Sequence, residues 1–439
     1  MNHPGGHLQP DEAVGCEKEL QHVFGRRAPS VMATVPAGKD VPFLKIMKEK
    51  KTGFLSKYWF LVIFAVTLLV PLYGTFLDEK VVLSGVTSSV EKEEANLETI
   101  GDGRYQTYLN TRWENEFPGR KALLKLRNQL LYSLFKVSPN ENVVIGKDGY
   151  LFEPSYIYNE LMANGPYDES HYEELGQKLQ ELKNLLLAQG KEFYIFITPS
   201  KARFCREKIP ERYMILDQKE TVGFSQYEKL CENLEKYGIP YFDSIDYIEK
   251  NRETAGIKAP VFYATGTHWS HPWGVTCAAE LLRFMKENSR YDLSTVSVEE
   301  SPCGEPFFPA TDLYDSLNLI RKPKDEWYKA DAFIETEGTD KPNIFIRGGS
   351  FMGQSTTSLV WAEVFRKDVH FENYYYFTDK FTEQVMLSGF RDYEGADLDR
   401  LIGQSDIVLF EVNEAAIWDL SFGLLDYLLE HPEYLDAAY

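Results

Sequence analysis

KEFYIFITPSKA, residues 191–202, is the stretch on which the fold turns. Its centre is an unbroken apolar run that ends at Thr198-Pro199-Ser200. A strand with one face in water alternates apolar and polar residues. One that is apolar throughout is covered on both faces, the condition of a parallel strand between two layers of helix. The flanks agree. Upstream, residues 170–188 carry Leu175, Leu179, Leu182 and Leu186 on one helical face, and Gly190 supplies the stop. Downstream the order recurs: helix 223–236, Gly238, a short strand at 239–243, helix 273–287, then strands at Asn343–Ile346 and Asp406–Phe410. Strands alternating with helices predict an α/β fold, a doubly wound, mostly parallel sheet.

Further towards the N-terminus, NVVIGKDGYLF (142–152) reads as a hairpin turning at Lys147-Asp148-Gly149. WENEFPGRKALLKLRNQLLYSLF (113–135) has leucines at three- and four-residue steps, which predicts an amphipathic helix entered around Pro118. YWFLVIFAVTLLVPLYGTFL (58–77) is twenty residues without a charge. At a rise of about 1.5 Å per residue it spans a hydrocarbon core of ~30 Å. Lys45, Lys48, Lys50, Lys51 and Lys57 precede it, and Asp78 and Glu79 follow. Positive charge stays inside, so the expectation is an uncleaved signal anchor at 58–77 with the N-terminus in the cytoplasm. Residues 1–57 form the cytoplasmic segment, without hydrophobic periodicity and expected to be disordered. Residues 79–110 are a polar stalk, and 111–439 the extracytoplasmic domain.

Composition narrows the function. The 439 residues are 44% hydrophobic, enough for a substantial core, and carry a formal charge of −20. Nucleic acid is excluded as a partner because phosphate binding needs a basic face. Of the five cysteines, Cys16 precedes the apolar segment, while Cys205, Cys231, Cys277 and Cys303 follow it without CxxC spacing. They read mostly as small buried hydrophobes, and disulfides remain open.

In open α/β sheets ligands bind beyond the C-terminal ends of the strands. NIFIRGGSFMGQS (343–355) runs a strand into Gly348-Gly349, which leaves Ser350 at the head of the next helix. There the N–H of Phe351 or Gly353 would face an oxyanion. A Gly-Gly-Ser turn also serves as a plain helix cap, and it is not a GxSxG elbow. YATGTHWSHPWG (263–274) offers His268 as general base. The His268-x-x-His271 spacing lacks a neighbouring carboxylate or thiol to complete a metal site, so no metal and no cofactor are expected. Lys201 ends the first long strand and is either a solvated charge or a cleft residue.

These segments resemble a family. GKDGYLF (146–152), TPSK (198–201), GTHW (266–269), TDL (311–313), GSF (349–351) and EVNE (411–414) follow the order of SGNH-hydrolase-like proteins, and NEFPGR (115–120) is similar to their alginate O-acetyltransferase branch. The resemblance covers about residues 110–430. It implies acetyl transfer onto an exported or cell-surface polysaccharide, with acetyl groups supplied by a multi-spanning membrane O-acyltransferase partner. It also implies Ser350 as nucleophile and His268 as base. Phe351, Gly353, Lys201, Trp269 and Asn413 are the oxyanion or cleft candidates. Many members have aspartate two positions before the histidine; here that position is Gly266. The partner of the second His268 nitrogen is therefore expected from elsewhere, as Asp312, Glu414 or a backbone carbonyl, with its oxygen within about 3.2 Å. A carbohydrate acetyl esterase and a non-catalytic glycan-binding subunit of an export system are the alternatives.

Overall fold

The computed structural model describes residues 58–66, 69, 74, 81–84, 92–165, 168–307, 309–353, 355, 364, 370–373, 376–380, 383–386 and 398–435. The chain divides into two units, Met1–Thr67 and Leu68–Tyr439. In the first, residues 58–66 are helical. Among the described residues no helix is long and apolar enough to cross a membrane. The expected span 58–77 lies in part outside the described residues, and the expected cytoplasmic segment 1–57 wholly so.

In the second unit the expected stalk contains helix. A short helix, Leu97–Gly101, starts from a capping box between Asn96 and Thr99, and α1 follows at Arg104–Glu116. The single helix expected over 113–135 is two. Trp113 belongs to α1, the chain breaks at Phe117-Pro118-Gly119, and α2 runs Arg120–Leu130 before a π turn at Leu131–Phe135. The break follows from Pro118, whose ring forces Phe117 into extended geometry (ψ 122°).

The hairpin forms as β1 (Val144–Ile145) and β2 (Leu151–Phe152), antiparallel. The principal sheet has seven strands in the order β10-β9-β8-β7-β11-β3-β4. They are β3 Glu192–Thr198, β4 Tyr241–Asp243, β7 Ile344–Gly348, β8 His370–Asn373, β9 Tyr376–Lys380, β10 Glu383–Met386 and β11 Ile407–Asn413. The pairs from β8 through β4 are parallel, and β9 and β10 close one edge antiparallel. The apolar run in β3 is explained by its two faces. Phe193, Ile195 and Ile197 enter one core layer, and Tyr194 and Phe196 the other. On the first side lie α3 (Glu169–Ala188) and α4 (Gln226–Lys236), contributing Leu179, Leu182, Leu230 and Leu234. On the second lies α5 (His271–Asn288), contributing Trp273, Ala278 and Leu282.

The edge strands β8, β9 and β10 had no counterpart in the sequence reading, and neither had a second β element. β5 (Thr295–Cys303) and β6 (Trp327–Thr336) form an antiparallel ribbon outside the main sheet, in register from Val296↔Ile334 to Cys303↔Trp327 with a shift at the Thr295↔Thr336 end. The loop between them carries the short helix Asp312–Ser316. The four described cysteines are free; Cys205 and Cys277 are core residues, while Cys231 and Cys303 are only partly covered.

Candidate active site

The C-terminal ends of β3, β11 and β7 are neighbours, and one carboxylate ties them together. Glu411 on β11 accepts from the Thr198 hydroxyl at the end of β3, and from the Gly349 N–H just past β7 at 2.6 Å. A side chain at Gly348 would place its Cβ 2.8 Å from Glu411 Cβ, so this crossing needs glycine. Burial pushes the Glu411 carboxyl up to about 7, against those two hydrogen bonds, which favour the charged form. The turn so fixed presents Ser350, and the chain enters helical geometry at Met352.

His268 arrives on the loop before α5. Its neighbour Trp269 is buried, bridges back to Phe262, and donates from Nε1 to the Phe351 carbonyl at 3.2 Å. The residue after the histidine is thereby bonded to the residue after the serine. His268 Nε2 lies 2.7 Å from Ser350 Oγ, and His268 Nδ1 lies 2.5 Å from Asp312 Oδ2. The other carboxylate oxygen, Asp312 Oδ1, accepts from the Thr267 N–H at 2.8 Å and the Leu313 N–H at 2.7 Å.

Gly266 explains why the carboxylate comes from elsewhere. A Cβ there would stand 2.8 Å from the Pro309 carbonyl oxygen and 2.9 Å from that of Ala310. The β5–β6 loop lies against this backbone, held by Thr265 Oγ1 on the Ala310 carbonyl (2.7 Å) and by the Tyr314 N–H on the Thr265 carbonyl (3.0 Å). An aspartate at 266 and this loop exclude each other, and the loop brings Asp312.

The remaining candidates divide. Phe351 lines the cleft, its ring centroid 4.8 Å from that of His268. Asn413 lines it too, but its amide is engaged. Nδ2 donates to Thr198 Oγ1 and the Pro199 carbonyl, and Oδ1 accepts from the Ala415 N–H. Four expectations need correction. Glu414 does not serve His268: Arg203 Nε is 2.5 Å from its Oε1, and its other oxygen takes the Ser200 N–H. Gly353 gives its N–H to the Ser350 carbonyl and does not line the cleft. Trp269 is core rather than cleft. Lys201 is 1% exposed and lies beneath the site, donating to the Ala264 and Gly266 carbonyls at 3.0 and 2.6 Å, between the rings of Tyr150 and Phe152. Burial pulls its ammonium down to about 7. It holds the histidine loop from below. His271 accepts the Ala330 N–H on Nδ1, and burial lowers it to about 4, so it is structural.

The cleft over Ser350 measures about 1130 Å³. Its walls include residues the sequence reading did not single out: Glu153, Tyr156, Asp168, Trp418 and Phe422. Trp418 is 57% exposed. Burial raises the Glu153 carboxyl, which hydrogen-bonds Thr267. Its one signal in sequence was its place directly after the GKDGYLF segment. Ser421, Phe422 and Gly423 are three consecutive residues at positive φ (66°, 54°, 84°), a strained wall for two non-glycine residues. Buried Arg347 braces that wall, donating from Nε to the Ser421 carbonyl at 3.0 Å with its guanidinium 5.1 Å from the Phe422 ring centroid. Among the described residues no cluster of His, Cys, Asp and Glu is arranged to hold a metal.

Comparison with known proteins adds the following. Residues 143–297 match the family model described as the SGNH hydrolase-like domain, acetyltransferase AlgX. No curated protein sequence matches the chain. Among solved structures, the O-acetyltransferase domain of Pseudomonas putida AlgJ is 16% identical, covering 63% of this chain and 92% of that one at a TM-score of 0.42. Pseudomonas aeruginosa AlgX is 13% identical over 65% and 67%, at 0.39. Bacillus cereus PatB1 with a sulfonyl adduct is 10% identical over 65% and 99%, at 0.41. Likenesses this distant carry no argument about chemistry. The family match takes in β3, the Lys201 turn and the His268 loop, while Asp312 and Ser350 lie beyond it and join the site through the fold. On that match, residues 143–297 are similar to the SGNH hydrolase-like domain of an alginate acetyltransferase.

Proposed function

We propose that this chain is an O-acetyltransferase that acts on an exported or cell-surface polysaccharide through an acyl-enzyme on Ser350. The observation that carries the reading is the relay Ser350 Oγ, His268 Nε2, His268 Nδ1, Asp312 Oδ2 at the floor of the cleft. In the first half-reaction His268 Nε2 takes the hydroxyl proton as Ser350 Oγ attacks the acetyl carbonyl. The donor leaves with that proton and Ser350 is acetylated. In the second half-reaction a sugar hydroxyl gives its proton to His268, attacks the acyl-serine and carries away the acetyl group, and the proton returns to Ser350. Asp312 keeps the imidazole in the tautomer that accepts at Nε2, and stabilises the imidazolium. The Gly349 and Gly353 N–H groups are committed elsewhere. That leaves the Phe351 N–H, at the entry to the helical turn, as the oxyanion donor.

The exposed Trp418 with Tyr156 and Phe422 supports a carbohydrate acceptor, since sugar rings stack on aromatic faces. The family match supports acetyl as the group moved. We place the domain outside the cytoplasm, anchored by residues 58–77 in the cell membrane and supplied by a multi-spanning O-acyltransferase, on the charge asymmetry around that apolar stretch. The test is to incubate the protein with a chromogenic acetyl ester and oligosaccharides, and to analyse the products by mass spectrometry. Acetylated oligosaccharide that disappears in Ser350→Ala supports transfer. Free acetate alone, at every acceptor concentration, makes the chain an esterase. No ester turnover leaves a glycan-binding role.

A further inference from the structure

The helices ahead of the hairpin carry a surface that the site does not use. Among the described residues, one face of α2 rests on the Asp312 loop. Asn128 Nδ2 donates to the Leu317 carbonyl at 2.9 Å, Gln129 Oε1 accepts the Ile320 and Arg321 N–H groups at 3.1 and 2.9 Å, and Tyr132 meets Tyr314 edge to face. The opposite face carries Leu123, Leu126, Leu130 and Leu134, spaced by three, four and four residues, and all four are exposed. Phe135 is exposed beside them. At that spacing the leucines form one continuous stripe. Between α1 and α2 lies a groove of about 580 Å³ lined by Trp113, Phe117, Leu123 and Leu124 with Arg120 and Arg127. Glu114 is the single carboxylate lining it.

Charge says what covers this face. From Phe117 to Val137 the chain carries Arg120, Lys121, Lys125, Arg127 and Lys136 and no acidic residue, in a protein of net charge −20. A soluble protein seldom leaves so long an apolar stripe in water. A leucine stripe flanked by arginine and lysine, with tryptophan at its edge, is the composition of a helix lying in the headgroup–acyl boundary of an anionic bilayer. Chain length permits it. If residues 58–77 cross the membrane, residues 78–96 reach at most roughly 65 Å before the helices begin, so the tether keeps them close to the surface.

We infer that α2, its π turn and the α1–α2 groove form a docking surface for an anionic membrane. The stripe enters the acyl boundary, Trp113 sits at headgroup level, and the cations face lipid phosphates. The inference does not depend on the acyl-transfer reading, and the two can fail separately.

The experiment uses the full chain reconstituted in vesicles of equimolar phosphatidylcholine and phosphatidylglycerol with brominated acyl chains. The Trp113 contribution is isolated as the difference between the native chain and Trp113→Phe. The readout is depth rather than attachment, so the N-terminal anchor does not mask it. We expect brominated lipid to quench that contribution by about twofold. We expect the quenching to be lost in Leu126→Glu/Leu130→Glu and to weaken in zwitterionic vesicles. An unchanged melting curve for the double variant shows that it folds. Equal quenching in the native chain and the double variant overturns the proposal, as does none in either. Full protection of the Leu123, Leu126, Leu130 and Leu134 side chains from hydroxyl-radical labelling without lipid overturns it in favour of the chain's own N-terminal segment. Protection that rises with protein concentration overturns it in favour of a second copy.

Discussion

Replacing Asp312 by Asn tests the relay at its third member. The side chains are nearly isosteric, so the loop keeps its shape. The Asn carbonyl oxygen stays beneath the Thr267 and Leu313 N–H groups, which Asp312 Oδ1 holds at 2.8 and 2.7 Å. The amide nitrogen then faces His268 Nδ1, 2.5 Å away in the native chain. Two donors cannot face each other, so the ring takes the tautomer that accepts at Nδ1 and carries its proton on Nε2, towards Ser350 Oγ. In that state Nε2 cannot accept the serine proton. The inverted tautomer costs serine proteases about 10⁴-fold in turnover, equivalent to about 5.5 kcal/mol of transition-state stabilisation. Flipping the amide instead strands two N–H donors at about 1 kcal/mol or more each. The assay is kcat/KM for a chromogenic acetyl ester alongside thermal melting. We expect a fall of about 10⁴-fold in kcat with stability within about 1 kcal/mol of the parent. Turnover within tenfold of the parent would refute the reasoning.

Four further outcomes follow from the site's contacts. Gly266→Ala pushes a methyl group against the Pro309 and Ala310 carbonyls, so it should destabilise by about 1–3 kcal/mol and lower turnover by displacing Asp312. Combining Gly266→Asp with Asp312→Asn should not restore turnover; recovery would show that the loop does not exclude a carboxylate there. Glu411 is raised from 4.5 to about 7, so the folded chain holds its proton where the unfolded chain has lost it. Its contribution is present below about 4.5 and is lost as the pH rises through about 7, so Glu411→Gln should flatten the fall in melting temperature across that window. Lys201 is lowered from 10.5 to about 7, which gives the opposite slope: stability rises between those values, and Lys201→Met should remove that rise.

The central strands β3, β7 and β11 were readable because burial on both faces leaves an unmistakable record, whereas β8, β9 and β10 were not read. β3 is apolar throughout since alternate side chains enter different cores. The ribbon β5–β6 left no such record. Glu299, Glu300 and Lys329 interrupt its strands, most of whose residues are only partly covered, and a two-stranded arm outside the main core needs no long apolar run. Because that arm carries Asp312, the third relay member stayed one of three candidates. Asp312 and His268 are 44 positions apart, and their meeting depends on loop packing against Gly266. Lys201 and Glu414 were misread for a related reason. A charge at a strand end reads as a cleft group, yet Lys201 is spent on two carbonyls and Glu414 on Arg203. The division of α1 from α2 was available in Pro118, whose effect on the preceding residue outweighs the leucine spacing.

The central claim is that Ser350 becomes acetylated during turnover. It is tested most directly by quenching the protein during reaction with an activated acetyl ester, digesting it, and locating the added acetyl group by tandem mass spectrometry. The account predicts an acetyl group on Ser350 that accumulates early and discharges when oligosaccharide is added. In Asp312→Asn it should form far more slowly, and in Ser350→Ala it should be absent. An acetyl group that forms on another residue at the rate of turnover, or turnover that persists in Ser350→Ala, would contradict it.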